Sequence, residues 1–178
     1  MNPVERRRTR LRTVSRWGSR LCIAFMVALP VGLVAIWAVE PDVLARGYAA
    51  DGAPPMPTGI RILQLGVLML PVALAIAGLR HLAAAFRIFA SDTPLSGQSS
   101  QSLRRFAGYL VAQAAAAPVT GAALSVLESW MNPPGERVLA FTISSHSAGL
   151  ALLALLLFAI AWVMAEAAEI AEDHRLIL

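Results

Sequence analysis

Four stretches of this chain, at about residues 21–39, 60–79, 106–127 and 138–164, are long and apolar enough to cross a bilayer, and the charges fall almost wholly between them. A span needs about 20 mostly apolar residues to cross a hydrocarbon core of ~30 Å. Lipid offers no hydrogen bonds, so a segment of that length closes its own backbone bonds as a helix. The fold class that follows is all-α: a polytopic membrane protein, one domain over residues 1–178, with four transmembrane helices in an antiparallel bundle and helical extensions into the cytoplasm. Composition argues against a soluble bundle. The chain is 57% hydrophobic and 15% charged, where soluble domains carry ~25% charged residues.

The 15 basic side chains are all arginine, and Arg6, Arg7, Arg8, Arg10, Arg12, Arg16 and Arg20 precede the first span, opposed only by Glu5. Residues 1–20 therefore read as a basic arm against anionic headgroups. No direct contact with nucleic acid is expected, because a basic segment abutting a span sets topology. The first apolar run is longer than a signal-peptide core and reads as an uncleaved span. With the N-terminus inside, Arg80, Arg87, Arg104, Arg105 and Arg175 join the arm, and only Arg46, Arg61 and Arg137 fall outside. The positive-inside rule then places both termini in the cytoplasm. Trp17, Trp37, Trp130 and Trp162 all lie at span ends, where the headgroup layer suits an indole.

Between the second and third spans, Leu79, Leu82, Phe86 and Phe89 keep helical spacing beside Arg80 and Arg87. They predict an amphipathic stalk, stopped by Ser91-Asp92-Thr93-Pro94 and restarted at a Ser96 N-cap. Arg104 and Arg105 mark the membrane edge of the third helix. Residues 165–178 form an acidic tail in which Glu166, Glu169 and Asp173 share one helical face. Phe86, Phe89, Arg104, Arg105, Glu166, Glu169 and Asp173 are the candidate partner surface. Asn132-Pro133-Pro134-Gly135 predicts the turn between the last two spans. Glu128 and Glu136 beside it read as solvated.

Within the slab, Gly108, Ala112, Ala116 and Thr120 recur every four residues, a stripe for close helix packing inside the bundle or between copies of the chain. Polar residues in a span are costly and so informative. Gln64, Thr142, Ser145 and His146 are the candidate intramembrane polar pocket. Counting helical rise puts Gln64 and His146 in the outer half and Gln113 in the inner half, away from them. The same groups also suit simple interhelical hydrogen bonds. The single cysteine, Cys22, closes no disulfide and no metal-ligand set is present, so no cofactor is expected. No nucleophile, base and orienting group converge in sequence, so no enzyme is expected.

The cytoplasmic stretches resemble a bacterial membrane family known as domain of unknown function 2975. Its members look like four-span proteins with a Phe-x-x-Phe stalk, a Gly-x-x-Phe-Ser/Thr turn, a Leu-Arg-Arg element and an acidic tail ending in apolar residues. Phe86 and Phe89 match the first element, and Leu103-Arg104-Arg105-Phe106 the third. Glu166-Ala167-Ala168-Glu169 through Leu176-Ile177-Leu178 matches the tail. Asp92-Thr93-Pro94-Leu95-Ser96 aligns with the turn but replaces its glycine and its aromatic. The resemblance implies a bacterial inner-membrane protein with no known catalysis. It also implies a regulatory role, since members are often associated with helix-turn-helix regulators. A cytoplasmic protein partner, bound by stalk and tail, is the leading expectation, with membrane lipids around the spans and a homo-oligomer left open. The rival is a small transporter or channel subunit built on Gln64 and His146.

Overall fold

A computed structural model describes residues 3–39, 47–49, 54–89 and 97–176, with side chains at 13–39, 47–49, 54–89 and 98–167. Its helices are α1 (Pro3–Val39), α2 (Thr58–Phe89), α3 (Gly97–Glu128) and α4 (Ser145–Leu176). All four contain a stretch long and apolar enough to cross a membrane. The basic arm is no separate element, because from Pro3 onward it forms the first turns of α1. Pro3 opens that helix where its missing N–H has no acceptor to lose. The expected stop at Ser91-Asp92-Thr93-Pro94 and the Ser96 cap lie outside the described residues.

The all-α bundle is built in series, α1 on α2, α2 on α3, and α3 on α4. Helix α3 is consequently the most enclosed span, with a third of its apolar window buried, against 11% or less in the other three. Large apolar side chains such as Phe25, Leu155 and Val163 face outward. Such surface suits lipid and would be costly in water.

Two glycines set the close approaches at the end that carries the α2–α3 connection. A Cβ on Gly78 would lie 3.1 Å from Cβ of Tyr109 and 3.3 Å from the Phe106 ring, so α2 and α3 touch backbone to side chain there. The Tyr109 ring stacks on His81, with centroids 5.5 Å apart. A Cβ on Gly18 would sit 3.0 Å from the Phe86 ring, which clamps α1 to α2. Ala83, Ala85, Leu103 and Ala107 fill the space between.

At the other end, residues 47–49 fold over the end of α3. The Tyr48 N–H donates to Glu128 Oε2 at 3.4 Å, and Asn132 Nδ2 donates to the Tyr48 carbonyl at 3.0 Å and the Glu136 carbonyl at 3.1 Å. Glu128, expected to be solvated, is instead 2% exposed, because this loop covers it. The predicted turn is formed, with Glu136 N–H donating to the Pro133 carbonyl and Gly135 at φ 99°, a conformation that favours glycine.

The largest departure from expectation is the start of the fourth span. The sequence predicts helix from about residue 138, but residues 136–144 are non-helical and α4 starts at Ser145. Two hydroxyls one turn apart, Ser125 in the last turn of α3 and Ser129 just past its end, hold this segment. Ser129 Oγ accepts the Val138 N–H at 3.0 Å, and Ser125 Oγ accepts the Ala140 N–H at 2.9 Å. One helical turn of four residues spans ~6.0 Å and two extended residues span ~6.6 Å, so the two repeats match. Each serine also donates to its own helix, Ser125 to the Ala122 carbonyl at 2.8 Å and Ser129 to the Ser125 carbonyl at 2.7 Å. Leu139, Phe141 and Ile143 are 63%, 69% and 81% exposed, and Thr142 and Ser144, exposed as well, line a hollow shared with α3.

Candidate functional site

Extended chain descends about twice as fast per residue as helix. With Ala140 level with Ser125, Ser144 sits ~13 Å deeper, at about the level of Ala116 on α3. The fourth helix therefore begins well below the end of α3, about level with Ala116. Two prolines share that level. In an antiparallel pair anchored at Gly78–Tyr109, Pro71 is level with Ala116, and Pro118 lies within about 3 Å of it along the axes. Each proline leaves a carbonyl, of Val67 and of Ala114, without its helical donor. Irregular backbone at membrane depth is tolerated where protein buries it or where it lines a cavity.

A cavity of about 420 Å³ lies there, between α2, α3 and the start of α4. Gln113, Thr120, Thr142, Ser144, His146 and Ser147 supply its polar groups. Leu68 and Pro71 from α2, Ala117 from α3 and Leu150 from α4 supply an apolar wall. Ser144 caps α4: its Oγ accepts the Ser147 N–H at 3.2 Å and pairs with Ser147 Oγ at 3.0 Å. The Ala148 N–H donates to the Ser144 carbonyl at 3.1 Å. The N–H groups of Ser145 and His146 precede the first intrahelical bond and have no acceptor within the helix. Thr120 is 5% exposed, and its hydroxyl has no hydrogen-bond partner among the described residues. Leaving such a group unpaired costs about 1–3 kcal/mol.

Of the pocket residues named from sequence, Thr142 and His146 line this cavity together. Ser145 is the first residue of α4, with an exposed side chain outside the lining. Gln64 is outside it too, 4% exposed, with Nε2 unpartnered. It lies one turn along α2 from Leu68 on the same face. Gln113, expected to be remote from His146, shares the cavity with it. A depth count at helical rise puts residue 146 too shallow, because the preceding residues are extended. Sequence reasoning misses Thr120 and Ser144 as cavity residues. The period-two alternation of Leu139, Phe141 and Ile143 with Ala140, Thr142 and Ser144 is the signal that could have found the segment.

Along the packing stripe, Thr120 is buried and Ala116 half-buried, whereas Ala112 is exposed and Gly108 has open space where a Cβ would stand. Among the glycines, close approaches fall on Gly18 and Gly78. Among the partner-surface residues, Arg104, Arg105 and Glu166 are exposed. Phe86 and Phe89 are half-buried, Phe86 against Gly18. Glu169 and Asp173 lie on α4 with side chains outside the described set. A second hollow of about 490 Å³ opens between α1 and α2, with Arg80, His81, Arg87 and Tyr109 on its wall. Arg87 Nε donates to the Ala83 carbonyl at 3.4 Å, which holds that guanidinium along its own helix.

A protein-family model described as "Protein of unknown function (DUF2975)" matches residues 46–177. No curated protein and no solved structure matches the chain.

Proposed function

Since the chain belongs to the DUF2975 family, we propose that this bacterial membrane protein is a non-enzymatic regulatory or interaction protein that presents its inner end to a cytoplasmic partner. The observation that supports the reading is that Arg104 and Arg105 at the start of α3 and Glu166 towards the end of α4 are all exposed. These charges stand at the end of the bundle that carries the α2–α3 connection. The aromatic part of the stalk serves the fold instead. Phe86 spends its face on Gly18, so it orders the stalk, and charge is left to recognise the partner. A helix-turn-helix regulator fits the family resemblance. The arginine bias supports a cytoplasmic position for this end, at a bacterial inner membrane, with both termini inside.

The test is co-purification from membranes. Arg104→Ala with Arg105→Ala, and removal of residues 166–178, abolish recovery of the partner while the protein still inserts. Equal recovery from both variants and the wild type overturns the reading.

A second reading, a small transporter or channel subunit, draws support from the polar cavity at the start of α4. Discontinuous helices ending near mid-membrane are where secondary transporters hold their solutes. On this reading His146→Ala loses a solute flux while insertion is unchanged, and an unchanged flux removes it.

A further inference from the structure

We propose that the hollow lined by α1, α2 and α3, at the end of the bundle that carries the α2–α3 connection, binds one anionic phospholipid. Its phosphate sits on Arg80 and Arg87, and an acyl chain runs past Met26 and Ala77. The inference goes beyond the cytoplasmic-partner reading and needs no partner. It also goes beyond lipid as a solvent, because it assigns one molecule to one place.

Charge comes first. Arg80 and Arg87, two turns apart on α2, and His81 all line a hollow of about 490 Å³. Among the described residues no Asp or Glu lines it, and Arg80 forms no hydrogen bond or ion pair. Glu166, the described carboxylate at this end, belongs to α4, which packs on α3. The bond from Arg87 Nε to the Ala83 carbonyl holds that guanidinium against α2 and leaves its terminal nitrogens to other acceptors. A guanidinium fork matches the oxygens of a phosphate. His81, stacked on Tyr109, adds a further N–H.

Depth selects a lipid over a free anion. Residues 62–79 of α2 carry no charge and fill ~27 Å of a ~30 Å hydrocarbon core. Arg80 therefore stands at the edge of the core, and Arg87 ~10 Å beyond it along the helix. Counted from the Gly18–Phe86 contact, the exposed indole of Trp17 is level with Arg87, Ile23 with His81 and Met26 with Gly78. The charged part of the hollow thus lies at headgroup depth, and Met26 and Ala77 continue it toward the middle of the spans. A free phosphate leaves that apolar part uncovered, whereas a lipid covers it with a chain. Basic pockets between transmembrane helices hold anionic headgroups in this way.

The experiment is native mass spectrometry of the full-length protein in a neutral detergent, titrated with phosphatidylglycerol or with phosphatidylcholine of the same chains. One saturable phosphatidylglycerol per protein is expected, held roughly tenfold more tightly than phosphatidylcholine, whose choline cation faces the arginines. Soluble glycerol phosphate, which has no chain, does not displace it. Arg80→Gln with Arg87→Gln weakens the first phosphatidylglycerol roughly tenfold, and the exposed Arg137→Gln at the other end leaves it unchanged. Ala77→Phe removes no charge but fills the chain path, and weakens binding several-fold, which a merely basic surface would not do. Equal affinity for the two lipids, displacement by glycerol phosphate, or full affinity in a folded Arg80→Gln/Arg87→Gln or Ala77→Phe protein each overturns the proposal. If a variant does not fold, the lipid pair and the glycerol phosphate competition decide.

Discussion

Ser125 Oγ accepts the backbone N–H of Ala140 at 2.9 Å, and through that bond a transmembrane helix lends its side chain to a segment that is not helical. The bond stands in for a hydrogen bond that Ala140 would otherwise make within its own helix. With Ser129 repeating it one turn along, α3 gives the extended chain half of a β-ladder.

Removing both hydroxyls therefore leaves two N–H groups without partners. Ser125→Ala with Ser129→Ala is expected to destabilise the protein by about 1–3 kcal/mol. Thermal unfolding of the detergent-purified variants measures it. Ser145→Ala, on the exposed first residue of α4, serves as the control and is expected to change little.

The contact of α2 with α3 at Gly78 leaves little room, with Tyr109 Cβ 3.1 Å from where a Cβ would stand. Gly78→Leu forces the helices apart and is expected to cost about 1–3 kcal/mol or more by overpacking. Gly108→Ala meets open space and is expected to be neutral or to stabilise by up to about 1 kcal/mol. The unfolding midpoint should fall for Gly78→Leu and hold or rise for Gly108→Ala.

Phe86 clamps α1 through Gly18, and Cys22 lies one turn further along the same face of α1. Cys22 is the single cysteine in the chain and is buried. Phe86→Ala is expected to speed its reaction with a small maleimide several-fold, with an unchanged rate in Arg104→Ala. Mass spectrometry over a time course reads both.

Asn132, just past the end of α3, holds residues 47–49 by one donated bond to the Tyr48 carbonyl at 3.0 Å and its own turn by another to the Glu136 carbonyl at 3.1 Å. Asn132→Ala is expected to loosen the loop over Glu128, so that limited proteolysis cuts near Tyr48 sooner than in the wild type. The cost in global stability should stay at about 1–3 kcal/mol.

The bundle was legible in the sequence because hydrophobic length is a direct reading of the solvent. Helices α1, α2 and α3 lie where about 20 apolar residues without charge must lie. The fourth was harder. Val138, Leu139, Phe141 and Ile143 are as apolar as the first turns of any buried helix, and apolarity alone does not separate strand from helix. Only the alternation with Ala140, Thr142 and Ser144 does. From that one conformational difference the cavity follows: a slower descent meets Gln64, a faster one meets Gln113. Burial of Glu128 had no local signal at all, because it depends on a loop some eighty residues earlier in the chain. The clamp of Phe86 on Gly18 likewise joins helices whose pairing no local pattern specifies.

Spin labels placed singly at residues 138 to 150, in a Cys22→Ala background, test the broken fourth span most directly. Collision rates with oxygen, which concentrates in lipid, and with a polar nickel chelate separate lipid-facing from cavity-facing sites. The expected profile alternates with period two through residue 144, with oxygen maxima at 139, 141 and 143, and changes to period ~3.6 from residue 145. A single ~3.6-residue period running unbroken from 138 contradicts the extended segment, and with it the depth of His146 and the cavity built upon it.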